Sequence, residues 1–294
     1  MPDGPITTDD RLQLFDSHRR YLFAVAYRML GIAEDAEDIL QDAWLRFSQV
    51  DPGALDHPRS YLVAVVSRLC LDQLKSARQQ REEYYGVWLP EPVETEQLLG
   101  DDIAAEKESA SFAFLLLLER LKPMQRVVLV LHEVFGYSHD EISQATETSV
   151  GACRQQLRRA RQQLTDAPAV PRLPNVNERQ KAEQFLKATR SGNVELLMKT
   201  LAPDVTLLSD GGGKVIAVPK PLVGRDIITK FFINISKNEE NVSVKLLDFN
   251  AQPGALVYIK DELVSVFLFD ISAERITSIY VVRNPEKLAR LKAI

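Results

Sequence analysis

Ser149, Gly151, Arg154, Gln155, Arg158 and Arg161 share one face of a helical stretch in the middle of this 294-residue chain, and their chemistry suits DNA readout. Arg and Gln can bond purine edges bidentately, while a Ser hydroxyl and the free amides at a helix start suit phosphate oxygens. The opposite face carries Val150, Cys153, Leu157, Ala160 and Leu164 at steps of three and four, which makes it the buried stripe. A solvated amphipathic helix with basic decoration would share part of this pattern. The surroundings add to it: Ser138 can cap a short helix holding Glu141 and Ile142, and Thr148-Ser149 can cap a second one after a break of two or three residues. A helix-turn-helix needs that closeness, because its first helix braces the second across the DNA backbone.

Two further groups have a defined chemistry. Between Pro58 and Gln80, the basic residues Arg59, Arg68, Lys75 and Arg78 are interleaved with Tyr61, Leu62, Val65, Val66, Leu69 and Leu74, and they could neutralise phosphates without reading sequence. Upstream, a helix that turns Ala36, Ile39, Leu40, Ala43, Trp44 and Phe47 inward leaves Asp35, Asp38, Gln41, Asp42 and Leu45 outward. That face is either a docking surface or a solvated acidic face. Cys70 and Cys153 each sit in an apolar stripe, so free buried thiols are expected, with no disulfide, metal site or cofactor.

Elements that position these groups follow from periodicity. Residues 11–80 are helical almost throughout, interrupted at Asp51-Pro52-Gly53 and before Pro58. Residues 82–108 hold nine carboxylates against Lys107 alone and read as an extended acidic linker, with the apolar island Val87-Trp88-Leu89-Pro90 inside it. Residues 109–167 form a second helical unit, in which Pro123 suits a first helical turn. A Pro-rich junction follows over 168–177, and 178–294 mixes amphipathic helices with alternating strands, predicting an α+β domain. The fold class is therefore multidomain: two all-α units, 8–81 and 109–167, then α+β. The net charge of -5 conceals a division, since residues 1–170 carry 18 basic and 27 acidic side chains and the rest 18 and 14. No apolar run approaches a membrane span and the N-terminus lacks signal-peptide character, so a cytoplasmic protein without membrane partners is expected.

The block Asp35-Ala-Glu-Asp-Ile-Leu-Gln-Asp-Ala-Trp-Leu-Arg-Phe47, with Arg59-Ser-Tyr-Leu62 and the Leu-Glu-Arg-Leu-Lys-Pro stretch starting at Leu118, resembles the extracytoplasmic-function sigma factors of bacterial RNA polymerase over about the first 165 residues. The helix-turn-helix departs at Gly151-Ala-Cys-Arg154, where that family more often has a Thr-Val pair. The tail resembles SnoaL-like domains, cone-shaped α+β folds, and so the sigma subgroup that bears such an extension. Three stretches match features of that subgroup: Trp88-Leu89-Pro90-Glu91-Pro92, Asp210-Gly211-Gly212-Gly213-Lys214, and Asn284-Pro285-Glu286-Lys287-Leu288, with Glu286 replacing the usual Asp.

The resemblance implies a non-enzymatic role. The acidic face would meet the clamp helices of the polymerase's largest subunit, and the second helical unit the flap of the second largest. The helix from Pro58 and the loop 50–57 would engage the minus-10 element, with a base flipped from the stack, and Ser149–Leu164 the minus-35 element. The linker would thread a basic polymerase channel, and the tail would control activity in cis through the three stretches. Asp210–Lys214 lacks P-loop spacing; it is either a flexible hairpin turn or a contact between tail and sigma core. Two other readings stay open: a conventional DNA-binding regulator with a small-molecule-sensing tail, and an isomerase-type tail using Asp210 or Asp270 with Tyr258 or Tyr280. His18, His57, His132 and His139 all precede the tail, which excludes a His base within it.

Overall fold

The computed structural model describes residues 8–82, 84–98, 109–164, 176–237 and 241–293. Two compact units emerge: residues 1–80, 97–109 and 117–168 make the first, and residues 81–96, 110–116 and 169–294 the second. Residues 168–175 of the Pro-rich junction and the acidic stretch 99–108 lie outside the described residues.

The first unit begins with α1 (Thr8–Leu30), α2 (Ala33–Phe47), a short 3-10 turn (Pro52–Ala54) and α3 (Pro58–Glu82). α2 stops at Phe47, and Asp51 opens the 3-10 turn by accepting from the Gly53 amide at 3.1 Å. The break expected at Asp51-Pro52-Gly53 is thus an Asx-type turn. Downstream lie the short α4 (Thr95–Leu98) and α5 (Phe112–Leu118), of which residues 95–96 and 112–116 belong to the second unit, then α6 (Pro123–Leu129) with a π-turn (Val130–Val134), α7 (His139–Thr146) and α8 (Val150–Leu164). Arg126, nearly fully buried, joins the two helical parts of this unit by donating to the Met29 carbonyl at 3.0 Å and to Glu119 at 2.7 Å.

The α7–α8 pair is a helix-turn-helix. A reciprocal capping box starts α7: Glu141 N donates to Ser138 Oγ at 3.3 Å, and the Glu141 carboxylate accepts from Ser138 N at 2.8 Å. Glu147 in the left-handed region ends it (φ 54°), and Ser149 Oγ accepts from Ala152 N at 3.2 Å to open α8. Ser138→Ala removes one half of the box, so we expect a loss of about 1 kcal/mol in the stability of this unit, measured by denaturant unfolding. A loss below 0.3 kcal/mol, taken as roughly the resolution of such a comparison, would count against the cap.

The second unit is built on a six-stranded sheet of order β2-β1-β6-β5-β4-β3, from β1 (Leu201–Asp210), β2 (Leu222–Val223), β3 (Val242–Phe249), β4 (Gln252–Ile259), β5 (Glu262–Ser272) and β6 (Arg275–Val282). Among the described strands only β1 and β6 pair in parallel. Helices α9 (Val176–Ser191), α10 (Val194–Thr200) and α11 (Arg225–Ser236) pack on one face, where Phe269, Ile271, Ile279 and Val281 meet Phe185, Leu197 and Phe232. Strand alternation sends Val266, Leu268, Tyr280 and Val282 to the opposite face. Leu89, Phe112 and, beyond β6, Leu288 and Leu291 cover it, Leu288 ending α12 (Pro285–Leu288).

This cover corrects the expectation of an extended linker over residues 84–98. Leu89 is fully buried, and Pro90, Glu91, Pro92 and Val93 are buried with it. An acidic, Pro-rich composition reads as linker, but the second sheet face is apolar and needs a partner, and this segment supplies one. Asn250 holds its far end: its amide oxygen accepts from Val93 N at 3.0 Å, and its amide nitrogen donates to Ala110 O at 2.9 Å. Gln252 adds a bond from Phe112 N at 2.7 Å. Residues on both sides of the 99–108 stretch are therefore seated on the tail sheet.

Candidate functional site

On α8 the apolar stripe is inside, with Cys153, Leu157 and Ala160 buried. Ser149, Gly151, Arg154, Gln155, Arg158 and Arg161 are exposed on the outer face. Arg159, beside Arg158 in sequence, is exposed as well and adds a further basic residue to the helix surface. Arg161 is tied back to Glu133 through its Nε at 3.0 Å. Arg154, Gln155 and Arg158 are exposed on a helix whose start Ser149 caps, so solvent reaches the donors that suit base edges.

The basic residues of α3 are less free than their pattern suggests. Arg68 donates to Ala145 O at 2.8 Å and to Gln144 O at 3.0 Å, and pairs with Glu147 at 2.8 Å. It caps the carbonyl end of α7, where the helix dipole favours a cation, so in this packing it is engaged within the protein. The Arg59 guanidinium lies 3.7 Å from the centre of the Tyr21 ring, a cation–π contact. Lys75 is exposed and pairs with Asp72. The Arg78 side chain lies outside the described residues.

On α2, Asp38, Gln41, Asp42 and Leu45 are exposed and Asp35 is half-buried. Leu45 is 60% exposed, an apolar spot within an acidic face. Exposed acids around an exposed leucine suit a basic partner with an apolar knob.

In the second unit the three short stretches singled out in the sequence meet in one cluster. Asp210, fully buried at the end of β1, accepts from Leu89 N at 2.9 Å and from Lys287 Nζ at 2.7 Å through one carboxylate oxygen. The other oxygen accepts from Tyr84 O–H at 2.6 Å and Gly212 N at 2.9 Å. Lys287, 6% exposed, also donates to the Leu89 carbonyl and lies 4.4 Å from the centre of the Trp88 ring. Asn284 donates to Tyr84 Oη at 3.1 Å. Burial, then the adjacent Asp210 carboxylate, pushes the Tyr84 hydroxyl well above its usual range, so it stays a donor.

The Asp210–Lys214 segment makes a tight turn, with Lys214 N and Val215 N both donating to Gly211 O. Gly212 sits at φ +63°, and a Cβ there would fall 2.5 Å from Asn284 Cγ. The turn is what lets the loop close on the third stretch. Lys214 pairs with Glu286 outside, Asn284 caps α12 by accepting from Glu286 N at 3.1 Å, Pro285 opens that helix, and Leu288 enters the core. Tyr84 lacked any signal in the sequence; its role depends on a partner 126 residues away.

Of the carboxylate–tyrosine pairs considered for catalysis, Asp270 and Tyr280 are hydrogen-bonded at 2.5 Å, and Gln252 also donates to Asp270. Both are buried on the linker-covered face of the sheet. The cavity of about 790 Å³ is on the other face, and none of Asp210, Asp270, Tyr258 or Tyr280 lines it. Asp270 and Tyr280 are thus buried away from this cavity. Burial raises Asp270 to about 6, partly offset by donors Tyr280, Ser278 and Gln252. The folded state thus holds a proton that the unfolded chain releases near 3.8, so stability is full at low pH and falls as pH rises from about 4 to 6. The fall amounts to about 3 kcal/mol at most, and Asp270→Asn should flatten it; an unchanged pH profile of unfolding in that variant would contradict this origin.

Among the described residues no helix is long and apolar enough to cross a membrane, and no cluster could hold a metal ion.

Residues 14–80 match the Sigma-70 region 2 family and residues 111–164 the Sigma-70, region 4 family. The chain is 40% identical over 224 residues, 75% of its length and 72% of the relative's, to the ECF RNA polymerase sigma factor SigJ of Mycobacterium tuberculosis. It is 30% identical over 279 residues, 94% of both chains, to that organism's probable ECF RNA polymerase sigma factor SigI. The crystal structure of M. tuberculosis SigJ superposes with a TM-score of 0.75 at 30% identity, covering 95% of this chain and 98% of that one.

The chain belongs to the extracytoplasmic-function sigma factors of RNA polymerase. It acts with core polymerase and promoter DNA to direct transcription initiation, and carries an α+β tail built on a six-stranded sheet.

Proposed function

We propose that α8 reads the minus-35 element through Arg154, Gln155 and Arg158, with Ser149, Gly151 and Arg161 on flanking phosphates. On this reading α3 and the loop 50–57 engage the minus-10 element, Arg59, Lys75 and Arg78 serving its phosphates. The acidic face of α2, with Asp35, Asp38, Gln41, Asp42 and Leu45, docks on the clamp helices of the largest polymerase subunit, and the 109–167 unit on the flap. Sigma factors work where the polymerase is, which makes the cytoplasm the expected compartment. The two elements lie roughly 85 Å apart along B-form DNA, whereas a domain the size of the first unit has a radius of gyration of about 15 Å. The packed first unit must open to read both, and Arg68 leaves α7 when it does, freeing it for phosphate.

The tail controls this opening in cis. One observation carries the proposal: Asp210 and Lys287 hold the backbone of Leu89, a residue of the segment that joins the two sigma regions. A linker held in that clasp is not available to thread a polymerase channel, so the clasp restrains the free protein. Trp88, Leu89 and Pro90 with the Asp210–Lys214 and Asn284–Leu288 stretches are the regulatory contacts. Run-off transcription with purified core enzyme tests it. Promoter-specific initiation should depend on this chain and should rise several-fold with Tyr84→Phe and Asn284→Ala, which loosen the clasp while keeping the ion pair. Unchanged output from both variants would remove the cis-control reading.

A further inference from the structure

We infer that the tail cavity binds an apolar monocarboxylate, and that its occupancy loosens the linker clasp; the second part rests on the cis-control reading above. The cavity, about 790 Å³, is of small-molecule size. Phe185, Phe231, Val257 and Phe267 give it apolar walls. Among the described lining residues the only ionisable side chains are Arg190 and Arg283, so the charge it offers is positive. Apolar walls with guanidinium groups and no described carboxylate match a ligand with a hydrocarbon body and one anionic head, since Arg binds a carboxylate through paired N–H donors.

The cavity and the clasp occupy opposite faces of the same strand ends. On β1, Leu207 and Ser209 line the cavity, and the next residue after Ser209 is Asp210 of the clasp. At the end of β6, Arg283 lines the cavity and the next residue, Asn284, is the clasp's bond to Tyr84. Arg283 donates to the Ile216 carbonyl at 2.6 Å. Ile216 follows the turn that presses Gly212 against Asn284. A ligand carboxylate on Arg283 competes with the Ile216 carbonyl, frees the 211–216 loop, and slackens the packing that holds Asn284 and Asp210 in place.

The test uses the full chain titrated calorimetrically with sodium decanoate, with decan-1-ol and decylammonium as probes of equal tail length. Decanoate should bind saturably at one site and at least about tenfold more tightly than the other two. Val244→Trp, at a partly exposed wall position, should abolish binding while thermal melting stays normal. Arg283→Met should weaken decanoate by about tenfold and leave the alcohol unchanged. Decanoate should also speed hydrogen exchange at the Leu89 amide. Equal binding of acid and alcohol, or binding that survives Val244→Trp, overturns the site, and binding without faster Leu89 exchange overturns the coupling. Transcription by the Tyr84 and Asn284 variants involves no decanoate, so failure of the cis-control reading registers separately.

Discussion

Asp210→Ala should destabilise the second unit by about 3–5 kcal/mol, the range for removing one partner of a buried ion pair. Asp210 is wholly buried and Lys287 is 6% exposed, so the truncation leaves an ammonium group without its counter-ion in a site that water reaches poorly. It also strips an acceptor from Leu89 N–H, Tyr84 O–H and Gly212 N–H at once. Lys287→Met should cost less, about 2 kcal/mol, because those three donors still solvate the carboxylate. The double variant Asp210→Ala with Lys287→Met should recover more than half of the Asp210 loss, since the penalty lies mainly in the stranded charge. Urea unfolding of the three variants checks this ordering. Additive losses would show that the pair is not coupled.

Arg154→Ala and Arg158→Ala should each cost about 1–3 kcal/mol in promoter binding by the holoenzyme and relax discrimination at the bases they contact. Their exposure on α8 predicts little change in stability, within about 0.5 kcal/mol. Lys75→Ala should instead weaken binding to all sequences alike and lower the salt slope by about one. Competition binding against minus-35 substitutions separates the two behaviours. A loss at Arg154 and Arg158 that is the same for every minus-35 sequence would move α8 from reading bases to holding phosphates.

Where a pattern is local, the sequence reading reaches the structure. The stripe Cys153, Leu157 and Ala160 faces in as the period of 3.6 requires, and Ser138 caps α7 because its partner Glu141 is three residues away. The three tail stretches were recognisable individually, but their convergence was not. Asp210 meets Lys287 across 77 residues and Leu89 across 121, and no local periodicity encodes such pairings. The linker failed as a linker for the same reason: Glu, Asp and Pro disguise a segment whose few apolar residues, Leu89 and Val93, complete a distant core. Arg68 looked like a phosphate contact because its partners, the carbonyls at the end of α7, lie 76 and 77 residues downstream. Asp270 and Tyr280 were named as a candidate pair, and they do meet. Both faces of their strands are buried, so hydrophobic alternation could not say which face holds the cavity.

A reversible lock on the clasp tests the central claim most directly. A Cβ on Gly213 would lie 3.4 Å from Tyr85 Cβ, close to the span of a disulfide, and Tyr85 is largely exposed. Gly213 sits at φ +70°, so Gly213→Cys costs about 1–2 kcal/mol of backbone strain, which the buried clasp can bear. The native thiols, Cys70 and Cys153, are buried and should not compete for the pairing. The measurement is promoter-specific run-off transcription by the Tyr85→Cys, Gly213→Cys chain, oxidised and then reduced. Control by release of the linker predicts that the oxidised chain initiates poorly and that reduction restores it to the level of the unsubstituted chain. Equal initiation by the oxidised and reduced chains would contradict it.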